Sequence, residues 1–246
     1  MKKIDAAGLD YRPLNEMVRK AVRAGEKDIR LFNVNGQRFI ADGLQGADVK
    51  ITIIGVPGND LAAFMDGPTV VVNNNAEDGV GNTMNAGKVV VHGDAGDVIG
   101  YGMRGGTIHI LGNIGYRVGI HMKDYEDQIP VIVVGGKAHD FYGEYMAGGV
   151  QILLGLNAKK GENIAGHFTG TGMHGGTIFL RGGYEEHTLA KEAAVGEMTD
   201  ADHKLLRKHV KDFCKSFDLD IDDIMKRDFT KLTPPSSRPY GGYYAY

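Results

Sequence analysis

The sequence predicts an all-β core: a single-stranded β-helix of six to seven coils, with an N-terminal helix and hairpin and C-terminal helices appended. Three observations carry this. Methionine recurs at Met65, Met84, Met103 and Met122, nineteen residues apart each time, and again at Met146 and Met173 after wider steps. Counted back from each methionine, the phrase Gly-x-x-Gly-x-x-x-Gly stays in register. It is complete at Gly93, Gly96, Gly100 and at Gly112, Gly115, Gly119, and nearly so at Gly55, Gly58, Ala62 and at Asn163, Gly166, Gly170. The copies at Asn74, Glu77, Gly81 and Gly136, His139, Gly143 keep less of it. A fixed period of this length is the signature of stacked repeats. Third, each repeat holds one short aliphatic run with only glycine-rich turns between, which excludes repeating βαβ units, since their crossovers need a dozen residues or more.

In chain order, Pro13 sits near the first turn of a helix whose apolar face is Leu14, Met17, Val18, Ala21 and Val22, and Gly25 ends it. Ile29–Val34 and Gln37–Ala41 flank Asn35-Gly36, a strong short-range hairpin signal, and complete a cap over residues 1–42. Residues 43–183 form the solenoid, with strands at Ile51–Ile54, Val70–Val72, Val89–Val91, Ile108–Leu111, Val131–Val134, Ile152–Leu154 and Ile178–Leu180. If each strand pairs with its equivalent one coil on, at about 4.8 Å, the rod is on the order of 30 Å long. The methionines then stack inside. Lys123–Gln128 and Asn157–Glu162 fill the two breaks in period as inserted loops. In residues 184–246, Thr199-Asp-Ala-Asp202 starts a helix with Leu206, Val210, Phe213 and Phe217 on one face, and a second short helix covers Ile221–Met225. A proline-broken, tyrosine-rich tail ends the chain and suits docking on a surface.

Glycine, at 37 of 246 residues, is about twice its roughly 7% average usage and has no collagen period. A formal net charge of -3 with interspersed signs leaves no electrostatic footprint for nucleic acid. Cys214 is the one cysteine, which excludes an intrachain disulfide or a cysteine-held cluster. No run approaches the length of a membrane span, and no signal-peptide core is present, so a cytoplasmic protein is expected.

Several motifs invite chemistry. Gly100–Gly105 and Gly170–Gly175 match a dinucleotide fingerprint, but a strand follows where that motif needs a helix. Asp218, Asp220 and Asp222 open like a calcium loop, but Asp223 and Phe229 stand where glycine and glutamate are required. Asp78 and Asp97 fall in one column on adjacent coils, backbones about 5 Å apart. Two carboxylates that close could divide acid and nucleophile roles in a carbohydrate-active enzyme. Against this stands the ordinary role of aspartate in turns. The nine histidines show no ligand spacing, and no metal site is read from them.

The repeat resembles the GXGXG domain at the C-terminal end of the glutamate synthase large subunit, above all at Gly143-Glu-Tyr-Met-Ala-Gly-Gly149. The stretch from Phe229-Thr-Lys-Leu to Ser237-Arg-Pro-Tyr240 resembles stand-alone versions of that domain. The repeat is also similar to one subunit of formylmethanofuran dehydrogenase and one of N-methylglutamate synthase. The resemblance implies a right-handed β-helix acting as a structural component. It implies no catalytic, cofactor-binding or metal-binding residue on this chain, with FMN and an iron–sulfur cluster on partner chains. The expected partners are amidotransferase and FMN-binding chains, with homo-oligomerisation as a further state.

Overall fold

The computed structural model describes residues 1–159 and 161–235. Its parallel ladder is built from β1 (Lys2–Asp5), β2 (Asp28–Asn35), β3 (Lys50–Val56), β4 (Asp66–Val72), β5 (Ala86–Val91), β6 (Thr107–Ile110), β7 (Val131–Val134), β8 (Ala147–Leu153) and β9 (Gly175–Arg181). Every strand pairs with the next in sequence, so one strand per coil stacks into a solenoid of about six turns. Register holds each column to one environment. Ile51, Val70, Val89, Ile108, Ile132, Gln151 and Ile178 are successive partners, as are Ile53, Val72, Val91, Ile110, Val134, Leu153 and Leu180. Both columns point inward and are fully buried.

The six methionines of the repeat, Met65 to Met173, are all fully buried in this interior. A side chain on the glycine corner of the following coil would strike them: a Cβ at Gly106 would lie 2.5 Å from the Met84 methyl. Thioether and glycine thus fit as a pair, one coil apart. Gly100 and Gly119 turn the backbone at φ +67° and +74°, a region that glycine enters without steric cost.

Two ends differ from the sequence reading. Asn35-Gly36 closes no hairpin. β2 is parallel to β1 on one side and to β3 on the other, and residues 37–41 run on around the first coil. Gln37 fixes that path: its amide donates to the carbonyls of Ala6 and Leu9, and its oxygen accepts from Asn35 N–H. The ladder therefore crosses the boundary read at 42/43 unbroken. The N-terminal segment is a parallel β1–α1–β2 crossover, in which helix α1 (Tyr11–Arg23), capped by Asp10, buries Leu14, Val18 and Ala21 against the first coil. Met17, read as apolar face, is largely exposed.

At the other end, helix α2 (Asp200–Phe217) begins with a capping box between Thr199 and Asp202, and helix α3 (Ile221–Met225) follows. Asp218 ends α2 and Asp220 caps α3, so the acidic run serves the helix termini. The helices do not close the open edge of β9. Strand β11 (Phe229–Thr233) does, pairing antiparallel with β9 and with β10 (Ala194–Gly196). Helix α2 instead lies along the outer sheet face, where Leu206, Val210 and Phe213 meet Val131, Val133, Val150, Ile152 and Phe179. The tyrosines of the tail lie outside the described residues.

Candidate functional site

The column holding Asp78 and Asp97 runs along a turn edge. The Asp78 carboxylate accepts the Asp97 backbone N–H at 2.8 Å, and the Asp97 carboxylate accepts that of Tyr116 at 2.8 Å. Asp140 does the same for His167 at 2.8 Å. A parallel file, Asn75, Asp94 and Asn113, accepts the amides of Asp94, Asn113 and Lys137. Each acceptor reaches over a glycine of the next coil, where any Cβ would overlap it: Gly96 beneath Asp78, Gly115 beneath Asp97, Gly93 beneath Asn75, Gly112 beneath Asp94. The first two glycines of the repeat phrase are thus the space these side chains need.

On the outer sheet face lies a constellation that the sequence did not bring together. The His109 Nδ1 is 2.9 Å from Ser216 Oγ, and its Nε2 is 3.8 Å from the Asp212 carboxylate, which is itself bonded to Lys88 Nζ at 2.9 Å. Ser, His and Asp in sequence suggest an activated nucleophile, but the protons run the wrong way. The Ser216 hydroxyl donates to the Asp212 carbonyl, so Nδ1–H donates to Ser216, and among the described residues Nε2 has no hydrogen-bond partner. Burial, with Lys88 nearby, holds the imidazole down to about 3 against the pull of Asp212. The cluster anchors α2 through a neutral histidine.

The third feature is the exposed turn face. Two columns of residues that flank the glycine corners adopt positive φ without being glycine: Val98, Arg117, Phe141 and Phe168 in one, Phe64, Thr83, His121 and Tyr145 in the other. Their side chains stack from coil to coil. Phe141 lies on Phe168 at 5.1 Å, His121 on Tyr145 at 5.3 Å, and the Arg117 guanidinium sits 4.7 Å over Phe141 while bonding Glu144. Tyr116 and His139 stack at 4.8 Å beside them. Phe168, Tyr145 and Tyr116 remain between 43% and 55% exposed. Next to this file a groove of about 320 Å³ is lined by Thr83, Gly102, Arg104, His121, Lys123, Tyr145, Ala147 and His174. Among the described residues no group of three or more histidine, cysteine, aspartate or glutamate side chains converges as a metal site would, and no helix is long and apolar enough to cross a membrane.

A parallel solenoid whose glycines make way for coil-to-coil side-chain ladders defines a repeat class. The chain belongs to the GXGXG motif family, whose model matches residues 29–235. It is 49% identical over 248 residues to the uncharacterized protein MJ1350 of Methanocaldococcus jannaschii, covering 98% of this chain and 95% of that one. Among solved structures it is similar to a chain of the formyltransferase/hydrolase complex FhcABCD of Methylorubrum extorquens, determined with methylofuran. That likeness has a TM-score of 0.62 at 17% identity over 93% of this chain and 89% of the other, and it shows a shared fold.

Proposed function

We propose that the chain is a non-catalytic β-helix subunit of a glutamate synthase-like oxidoreductase complex, docking the amidotransferase and FMN-binding chains that turn glutamine and 2-oxoglutarate into glutamate. FMN and the iron–sulfur cluster belong to those partners. One observation carries the reading: the exposed rings of Phe64, Tyr145 and Phe168 sit at left-handed backbone positions that glycine fills without strain elsewhere in the same columns, at Gly79, Gly102 and Gly172. Keeping a side chain there costs roughly 1–2 kcal/mol per residue, and an exposed ring returns little of that unless something covers it. Tyrosine, phenylalanine and arginine are the side chains that anchor protein interfaces. The carboxylates nearest to a catalytic pair, Asp78 and Asp97, are engaged in holding backbone amides.

The test is co-expression of a tagged chain with the amidotransferase and FMN-binding chains of its own genome. Co-purification of a flavin-containing assembly, lost in a Phe64→Ala, Phe168→Ala double variant that still folds, is expected. A chain that elutes alone in their presence would overturn the reading. The fold shared with a chain of a formyl-transferring complex favours a second reading, in which the same docking role serves formyl transfer; co-purification with formyltransferase chains instead would decide for it.

A further inference from the structure

The groove beside the ring file is unusual in what lines it. The column one residue after each methionine reads Asp66, Asn85, Arg104, Lys123, Ala147, His174. Adjacent coils are joined there by backbone bonds, Arg104 N–H to the Met84 carbonyl and Lys123 N–H to that of Met103. Arg104 and Lys123 are therefore held on neighbouring rungs about 5 Å apart at the backbone. Like charges directly opposite one another destabilise a ladder. Among the described residues no carboxylate lines the groove to offset them. Neither cation has an ion-pair partner among the described residues; Asp124 accepts Gly149 N–H, Glu144 pairs with Arg117, and the Arg104 guanidinium lies 5.9 Å over the Tyr125 ring. The buried Arg104 Nε–H has no acceptor among the described residues. His121 and His174 add two imidazole rings, the His174 Nδ1 lying 3.3 Å from the Gly172 carbonyl, and Thr83 adds a hydroxyl.

The cavity also has a structural origin. In the column one residue before each methionine, Thr83, His121 and Tyr145 carry side chains, and Gly102 between them does not. A Cβ there would meet nothing nearer than Thr83 Oγ1 at 3.7 Å. The missing side chain opens the floor of the groove beside Arg104.

We propose that this groove binds the oxyanion of a small molecule, a carboxylate or phosphate group held by Arg104 and Lys123 and flanked by His121 and His174. The planar guanidinium suits either group, and the anion supplies the acceptor that Arg104 lacks and neutralises the paired cations. The inference is independent of the docking role, and its test needs no partner chain.

The full chain is titrated by calorimetry with inorganic phosphate and, separately, with succinate, against sodium chloride at matched ionic strength, while the His121 and His174 ring resonances are followed by NMR. Saturable binding of one probe that moves both resonances is expected, and which probe binds tells phosphate from carboxylate. Arg104→Gln and the exposed Lys123→Gln should each weaken it by about ten-fold or more, the loss of a charge-assisted hydrogen bond. Gly102→Asn, whose side chain tolerates the left-handed turn, should block it by filling the floor. Absence of saturable binding by either probe, a response equal to that of chloride, or affinity unchanged in Lys123→Gln and Gly102→Asn would overturn the proposal.

Discussion

At Asp97 a single residue connects three coils. Its backbone N–H is held by Asp78, and its carboxylate holds Tyr116, so the column is a chain of identical bonds rather than a reacting pair. What the bond requires is an sp² oxygen at that position, and asparagine supplies one, as Asn75 and Asn113 do in the neighbouring file. Asp97→Asn is therefore expected to leave thermal stability nearly unchanged, whereas Asp97→Ala should cost about 1 kcal/mol, the usual net value of one such bond. Equal losses in both, read from denaturant midpoints, would show that charge and not hydrogen bonding matters there. The columns themselves were legible in the sequence because the coil repeats every environment at a fixed step. The partner of each column was not. That the glycines of the phrase exist to let Asp78 or Asp97 pass over them depends on which atoms meet one coil away, and spacing alone does not say.

At the scale of elements, α2 shows what could be read and what could not. Its cap at Thr199 and its apolar face were plain in the sequence, and its seat could be read as the C-terminal coils or the side of the rod, but not which strands it covers. The signal was present in the strands: Val131–Val134 buries every residue, while the outward positions of β3 and β4 mix Lys50, Thr52 and Thr69 with Ile54 and Val71. A strand apolar on both faces needs cover on both. The false hairpin at Asn35-Gly36 is the opposite lesson. A two-residue turn signal is local, and here both edges of β2 were already taken by parallel neighbours.

The seat of α2 contains a titratable group, and its sign can be worked out. The folded-state pKa of His109 is lowered from 6.5 to about 3 by burial first, then by Lys88, against Asp212; His209 on α2 acts in the same direction as Lys88. The unfolded chain therefore takes up the proton first. The stability this group contributes is complete above pH 6.5 and is lost progressively as pH falls toward 3. The slope approaches about 1.4 kcal/mol per pH unit for one proton. Asp202, bonded to Lys231 and Thr199 strongly enough to overcome its burial, is lowered to about 2 from 3.8 and adds its own loss only below 3.8. Between pH 6.5 and about 5, above the carboxylate range, His109 and His209, whose imidazole is also held below its ordinary value by burial and Lys208, are the expected sources of acid sensitivity. His109→Gln should flatten the stability profile in that window in urea unfolding experiments. An unchanged slope would mean that the imidazole is not buried as described.

For the whole molecule the governing problem is the ends. A solenoid closes no ladder on itself, and each terminal coil offers a row of free N–H and C=O groups that recruits other chains unless covered. Here α1 packs its apolar face on the first coil, and β11 seals the last by running antiparallel to β9, with Leu232 fully buried. The same C-terminal segment also covers the outer face through α2, so its removal exposes an edge and an apolar surface together. A chain ending at Gly183 is expected to self-associate or precipitate. A variant with Leu232→Pro, which keeps α2 but removes an N–H from the sealing strand, should associate more weakly and stay folded. Light scattering after size exclusion separates the two contributions: if the Leu232→Pro variant remains a monomer while the truncated chain aggregates, the apolar face under α2 and not the strand edge is the dominant liability. If both remain monomeric, the last coil of the solenoid closes its own edge and the C-terminal segment serves some other purpose on the rod.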